Sequence, residues 1–482
     1  MNNDRYIFRF SKVFLLLFAL YIPAHSVRIE DRLSRLKNET RFNQIFLRDG
    51  LSQSIVQCIA QDKNGVMWFG TEDGLNKYDG YNFTVFRSDS EDPESLSYNN
   101  IISLLNDSRG VMWVGTFQSG LNRFDQENQG FVVYRHSPEN PNSLSDDNIN
   151  IIYEDKHGTI WVGTNRGINR LDEPEAGPGD ARFSSFVHDP QDTFSLSHDI
   201  VRSILEDRAG RLWIGTDDGL NLMVEDSSRQ QGVRFIRFQP RSSDRTSLPH
   251  PIVRSIYQTK NEEIWIGTDN GLSRVIDKSD GTPSGHFYNY QYQPNNTAGL
   301  SSAEVYVILE DQTGLLWIGT NGGGLNVFDR NGEKFISFRN DPEDPSTLSY
   351  DQIRAIYEDS SGLIWIGTYG GGIDKVDRRK KLFYHYQNDP QNTNSLNQNI
   401  VWSILEDPDN ILWIGTNGGG LNKFDRDKNR WWHFLNNPSD SHSLSHNIVR
   451  VITRDKKGQY WLGTHGGGVN LFDPRKETFL RI

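Results

Sequence analysis

Trp317–Arg330 reads WIGTNGGGLNVFDR. Three consecutive glycines beside Asn and Thr suit either a loop that cradles phosphate or a tight turn between two strands. The rest of the chain separates these. Trp413–Arg426 reads WIGTNGGGLNKFDR, Trp365–Arg378 WIGTYGGGIDKVDR and Trp461–Pro474 WLGTHGGGVNLFDP. Shorter versions begin at Trp68, Trp161 and Trp213. A phosphate or catalytic loop is normally used once per domain. A segment written nine times builds the domain instead, as a fixed long period does in repeat architectures.

The anchor residues are Trp68, Trp113, Trp161, Trp213, Trp265, Trp317, Trp365, Trp413 and Trp461, spaced by 45 to 52 residues. Each is followed by one apolar residue and Gly-Thr. Each is preceded, seventeen residues earlier, by a leucine: Leu51, Leu96, Leu144, Leu196, Leu248, Leu300, Leu348, Leu396 and Leu444. Within the unit around Trp213, Ile200–Leu205 predicts a strand, EDRAG a turn, RLWIGT a second strand, DDG a turn, LNLMV a third strand and RFIRF a fourth. Repeats 1, 3, 4 and 5 use one glycine in a second turn that is one residue shorter. Repeat 5 also replaces the Asp and Gly of the first turn by Thr259 and Glu262. Such a unit is apolar on both faces and must pack between copies of itself. The radial solution is an all-β fold, a β-propeller of four-stranded antiparallel blades. The tryptophans then lie between neighbouring blades.

The chain has 482 residues, is 12% aromatic and carries 43 glycines. A net charge of −12 argues against nucleic acid and anionic membrane surfaces as partners. Arg5, Arg9 and Lys12 precede the apolar run Val13–Ile22, and Ala24-His25-Ser26 offers small residues to a signal peptidase. Residues 1–26 are therefore read as a signal peptide cleaved after Ser26, since the run is too short to span a bilayer. Residues 27–41 form an N-terminal lead. Cys58 is the only cysteine, so an intrachain disulfide is excluded. Phe42-Asn-Gln-Ile45 repeats the pattern of the fourth strand, as in Phe83 and Phe86, and precedes the first repeat. It is positioned to complete another blade. The chain stops within the fourth strand of the ninth unit.

WIGTxxGGLNxFDR with its leading SLSxNxIxxIxED resembles the two-component regulator propeller repeat. The resemblance covers residues 42–482, and is especially close in FNQIFLRDGLSQSIVQCIAQDKNGVMWFGTEDGLNKYDGYNF, Phe42–Phe83. It implies the periplasmic sensor region of a receptor in a Gram-negative bacterium, with paired seven-bladed propellers followed by a sandwich, a membrane helix and a histidine kinase or diguanylate cyclase. This chain departs from that plan. It has nine repeats rather than fourteen and none of the later parts, so it reads as an N-terminal fragment whose tie to the membrane would run through a missing C-terminal region. The resemblance implies a first propeller over 42–390 (repeats 1–7) and the start of a second, truncated one over 391–482 (repeats 8 and 9). A single nine-bladed ring is the arithmetic alternative.

Strand order predicts that the inter-blade loops, the start of each first strand and the glycine turn share one rim, where binding residues on a rigid scaffold concentrate. Eleven residues before the tryptophans stand Gln57, Ile102, Asn150, Arg202, Arg254, Tyr306, Arg354, Trp402 and Arg450. After Gly-Thr come Glu72, Phe117, Asn165, Asp217, Asp269, Asn321, Tyr369, Asn417 and His465. Aromatic faces stack on sugars and Arg grips carboxylate or sulfate. The expected ligand is an oligosaccharide, acidic ones included, or another small molecule. The expected site is Gln57, Asn150, Arg202, Arg254, Tyr306, Arg354, Glu72, Asp217, Asp269 and Tyr369. The competing reading is that the arginines pair with Asp217 or Asp269 and only stitch blades together. A protein partner or a homodimer is a further alternative for the same rim.

Some propellers are lyases or hydrolases, but no HExxH, GxSxG, P-loop or EF-hand pattern occurs and the histidines are scattered, His188, His198, His433, His442 and His446 among them. Asp425, Asp427 and Asn429 alternate as calcium ligands do but without the rest of a loop, and are read as a turn. The chain is thus expected to be no enzyme and to need no metal or cofactor.

Overall fold

The computed structural model describes residues 33–172, 181–278, 281–378 and 386–482. The signal peptide expected at 1–26 lies outside them. Among the described residues the chain forms nine four-stranded antiparallel sheets, and it divides into two compact units, 1–380 and 381–482. No helix among the described residues is long and apolar enough to cross a membrane.

Blade 4 shows how the repeat makes a sheet. Its strands are Val201–Glu206, Leu212–Thr216, Gly219–Glu225 and Val233–Phe238, paired in that order. All five residues of the second strand are buried, because both faces of the blade are covered. The first turn is closed by Asp207. Its backbone carbonyl accepts the N–H of Gly210 (2.8 Å), and its Oδ1 accepts that of Arg211 (2.9 Å). Its Oδ2 accepts the indole N–H of Trp213 at 2.8 Å, so one carboxylate fixes both the turn and the ring. The same Asp–Trp bond recurs in every repeat but the fifth, as from Asp62 to Trp68 (3.1 Å) and from Asp455 to Trp461 (3.0 Å). In repeat 5 Thr259 is too short to reach, and the indole nitrogen of Trp265 is buried without a partner.

Neighbouring blades meet through these rings. Trp68 lies edge-on to Phe124 of blade 2 (5.3 Å between ring centres), and Trp265 to Phe328 of blade 6 (5.7 Å). The glycine of the repeated Gly-Thr gives room for the next blade: a methyl group on Gly215 would sit 2.6 Å from Cγ1 of Val253. The repeated leucine is buried in every repeat, from Leu51 to Leu444.

The turn that opened the sequence reading is scaffold. Gly322 and Gly324 have φ of +80° and +73°, which glycine adopts without steric cost. Their N–H groups both donate to the carbonyl of Asp351 in the next blade (3.1 and 2.8 Å). These two donors are therefore not free to meet a phosphate.

Blades 1–7 form a ring. The outer strand of blade 7 is Asn43–Ile45, which runs antiparallel to Ile373–Val376 with Gln44 opposite Asp374. Ile45, Leu51, Val56, Phe69, Trp365 and Ile373 then share one cluster across the joint between blades 7 and 1. That joint repeats the bonds of the others. Gly372 donates to Ser54 O (2.9 Å) as Gly219 does to Pro251 O (2.7 Å). Gln61 accepts the N–H of Ser360 (2.9 Å) as Glu206 accepts that of Lys156 (2.7 Å). The lead packs on the ring as well, with Leu33 and Phe42 buried beside Trp317 and Phe338.

The second unit holds blades 8 and 9, with first strands Val401–Glu406 and Val449–Arg454. Trp413 of blade 8 packs against Phe472 of blade 9 at 4.9 Å.

Candidate functional site

The rim positions share a backbone device that their sequence did not reveal. In every blade the register of the first strand against the second shifts at one residue, a β-bulge. In blades 4, 5, 6 and 7 it falls between Val201 and Ser203, Val253 and Ser255, Val305 and Val307, and Ile353 and Ala355. The extra residue is Arg202, Arg254, Tyr306 or Arg354. Blades 1 and 3 bulge likewise at Gln57 and Asn150. A bulge frees its residue from the alternation of the strand and re-aims its side chain. The residue before each of these bulges, from Val56 and Ile149 to Val201, Val253, Val305 and Ile353, stays apolar and buried, while the bulged one varies in chemistry.

Three kinds of local arrangement result. Arg202 grips Asp217 with Nε and a terminal nitrogen, and Arg254 grips Asp269 with the same two groups (2.6 and 2.8 Å). Each of these ion pairs lies within one blade and braces the mouth of that blade. Burial disfavours the Arg254 charge, but the bond from Asp269 together with the fields of Tyr306, Asp269 and Asp217 outweighs it, and the guanidinium pKa stands above its ordinary value. Gln57 and Asn150 are held across blade joints: Gln57 donates to Oδ1 of Asn100 (2.9 Å), and Asn150 to the carbonyl of Val201 (3.0 Å) and to Asn165 (2.9 Å). Glu72 is half-buried in blade 1.

The third arrangement spans blades 5 to 7. The guanidinium carbon of Arg254 lies 4.7 Å from the ring centre of Tyr306, and that of Arg354 lies 4.4 Å from the same centre. Arg354 is also 4.5 Å from the ring centre of Tyr369. Cations and rings therefore alternate in the order Arg254, Tyr306, Arg354, Tyr369. Sequence reasoning offered Tyr306 as a stacking face for sugar, but guanidinium groups from both neighbouring blades flank it. Tyr369 has one such neighbour among the described residues. Two residues absent from the expected set support the row: Glu304 accepts the Tyr306 hydroxyl (3.3 Å) and the amide of Asn321 (2.7 Å).

The histidines act locally. His188 Nδ1 is 2.7 Å from the carbonyl of Leu196, and His198 accepts the N–H of Ile200 (3.1 Å). Asp425 accepts the N–H groups of Asp427 and Lys428, the bonding of a turn. Among the described residues no group of three or more His, Cys, Asp or Glu side chains is arranged to hold a metal.

Fold and mouth together define a β-propeller with a uniform scaffold and a chemically varied rim. Nine windows of the chain match the family described as Two component regulator propeller: 50–73, 95–118, 143–166, 195–218, 247–270, 299–322, 347–370, 395–418 and 443–466. The chain belongs to that repeat family. A relative, Histidine kinase P4 of Formosa agariphila, is 40% identical over 222 residues, which cover 46% of this chain and 16% of the kinase. The crystal structure of the extracellular domain of BT3049 from B. thetaiotaomicron, assigned to a hybrid two-component system, matches at 28% identity with a TM-score of 0.60. It covers 92% of this chain and 55% of that domain, so the chain spans only part of either protein. A catalytically inactive virginiamycin B lyase from Staphylococcus aureus is similar at 14% identity and a TM-score of 0.48, covering 70% of this chain and 98% of the lyase. At that level the likeness carries no argument about activity.

Proposed function

We propose that this chain is the ligand-reading region of a transmembrane two-component receptor, exported to the periplasm of a Gram-negative bacterium, and that it binds an oligosaccharide at the bulge-bearing mouth of its seven-bladed ring. The observation that carries the reading is the set of bulged residues. Nine units repeat their core closely, yet vary at the position the backbone re-aims, mixing amide, guanidinium, phenol, indole and aliphatic groups. Such groups recognise hydroxyl-rich ligands by hydrogen bonding and stacking. The likeness to an extracellular sensor domain and to a histidine kinase supports an export-and-signal context. The reading gives this chain no catalytic step.

The test is a thermal-shift and calorimetric screen of the chain against neutral and acidic oligosaccharides, followed by Gln57→Ala and Tyr369→Ala. A saturable shift that either substitution weakens about tenfold is expected. A ligand whose affinity ignores both substitutions binds elsewhere and overturns the assignment of the mouth.

A further inference from the structure

Arg354 differs from its two counterparts. Arg202 and Arg254 each face a carboxylate after the Gly-Thr of their blade, and both are neutralised by it. In blade 7 that residue is Tyr369. The Arg354 guanidinium instead lies between two rings, at 4.4 Å from Tyr306 and 4.5 Å from Tyr369. Its Nε is buried with no hydrogen-bond acceptor. Among the described residues no carboxylate lies within ion-pair distance of it. The nearby acid of this row, Glu304, is occupied by the Tyr306 hydroxyl and the Asn321 amide. Rings stabilise a cation electrostatically but accept none of its N–H bonds. A guanidinium fixed between two phenol rings keeps its fork pre-organised and its donors unmet.

We propose that Arg354 is an anion seat, taking one carboxylate or sulfate group of a saccharide ligand in the slot between Tyr306 and Tyr369. The proposal rests on the mouth being the saccharide site, and narrows that ligand to an acidic one. Carboxylate and sulfate present the same paired oxygen acceptors to an arginine fork. The Arg202 and Arg254 positions show what an occupied seat looks like, with the acid supplied by the chain itself.

The test measures binding of oligogalacturonate, of a sulfated galactan oligosaccharide and of the neutral galactan counterpart to the chain and to Arg354→Gln. The acidic probes are compared with each other to assign carboxylate or sulfate. The expected result is an acid preference of at least about tenfold that falls with salt and disappears in Arg354→Gln, with residual neutral binding retained. Tyr369→Asp is the second variant. It places a carboxylate where Asp217 and Asp269 stand, and is expected to remove the preference while leaving the thermal midpoint equal or higher. Equal affinity for acidic and neutral probes, or an acid preference that survives both substitutions, overturns the anion seat and leaves the mouth as a saccharide site. Absence of binding by every probe, in the unsubstituted chain, overturns both.

Discussion

Blades 1–7 and blades 8–9 are written in the same repeat and end in different surroundings. Ile204, Ile308 and Ile356 in the ring are 5 to 8% exposed, whereas Ile404, at the same position of blade 8, is 62% exposed. Val401 and Trp402 beside it are also exposed, as is Val451 of blade 9. In the ring these isoleucines are covered by their neighbours, whereas in blade 8 the equivalent side chain is exposed. Burial in this fold is therefore a property of the joint between repeats, not of the repeat. Stability then follows from blade terms plus nearest-neighbour terms, as in a one-dimensional array.

The contrast can be broken by equivalent substitutions in the two units. Trp213→Ala removes a fully buried ring and its bond to Asp207, and is expected to cost ~3–5 kcal/mol. Trp461→Ala removes a half-buried ring and is expected to cost roughly 1–2 kcal/mol. Urea unfolding followed by near-ultraviolet circular dichroism measures both, and equal losses would contradict the joint-based account. Glycine sharpens the point. Gly215→Ala drives a methyl to 2.6 Å from Val253, and is expected to cost about 2–3 kcal/mol. At Gly463 the nearest atom to the same methyl is 3.7 Å away, so Gly463→Ala is expected to change stability by less than about 0.5 kcal/mol.

A titratable residue distinguishes one joint inside the ring. Most blades clamp the inter-blade loop with an asparagine, as Asn221 Oδ1 accepts the N–H of Ser197 (3.0 Å) and its amide donates to the Ser197 hydroxyl (2.7 Å). Blade 7 has Asp374 there, fully buried, with Ser349 Oγ at 2.7 Å. Burial pushes its carboxyl up to about 7, against the bonds from Ser349 that favour the charge. The folded state therefore holds a proton that the unfolded chain, with its ordinary value of 3.8, releases first. Stability from this group is present below that ordinary value and is lost as pH rises through about 7. Asp374→Asn is expected to stabilise the ring by about 2–4 kcal/mol near pH 8, and by little at pH 4 or below. Melting temperatures of the two proteins across this range provide the check, and a pH-independent difference would remove Asp374 as its cause.

Much of the fold was legible because it is repeated. A tryptophan at fixed distance from a leucine and from a turn specifies strand lengths, and the apolar residues on both faces require neighbours. The role of Asp207 was only half legible: its turn geometry follows from sequence, but the bond to Trp213 needs the ring to fold back over the hairpin. The candidate site was legible as positions and not as contacts. Arg202, Arg254 and Arg354 look alike in sequence. Their partners fifteen residues later, Asp217, Asp269 and Tyr369, separate them. The bulge that aims all three left no signature, since it depends on register between strands rather than on residue type.

The strand Asn43–Ile45 has a kinetic consequence. Each ordinary joint is made by segments about one repeat apart, so blades can form in order as the chain emerges. The final joint is made by residues as far apart as Gln44 and Thr347, 303 positions along the chain. This segment must wait, unpaired, for the last blade of the ring. Loop-closure entropy rises only logarithmically with such a distance, so the delay costs little equilibrium stability. It does make the leading segment a clasp, fastened last and reporting that the ring is complete.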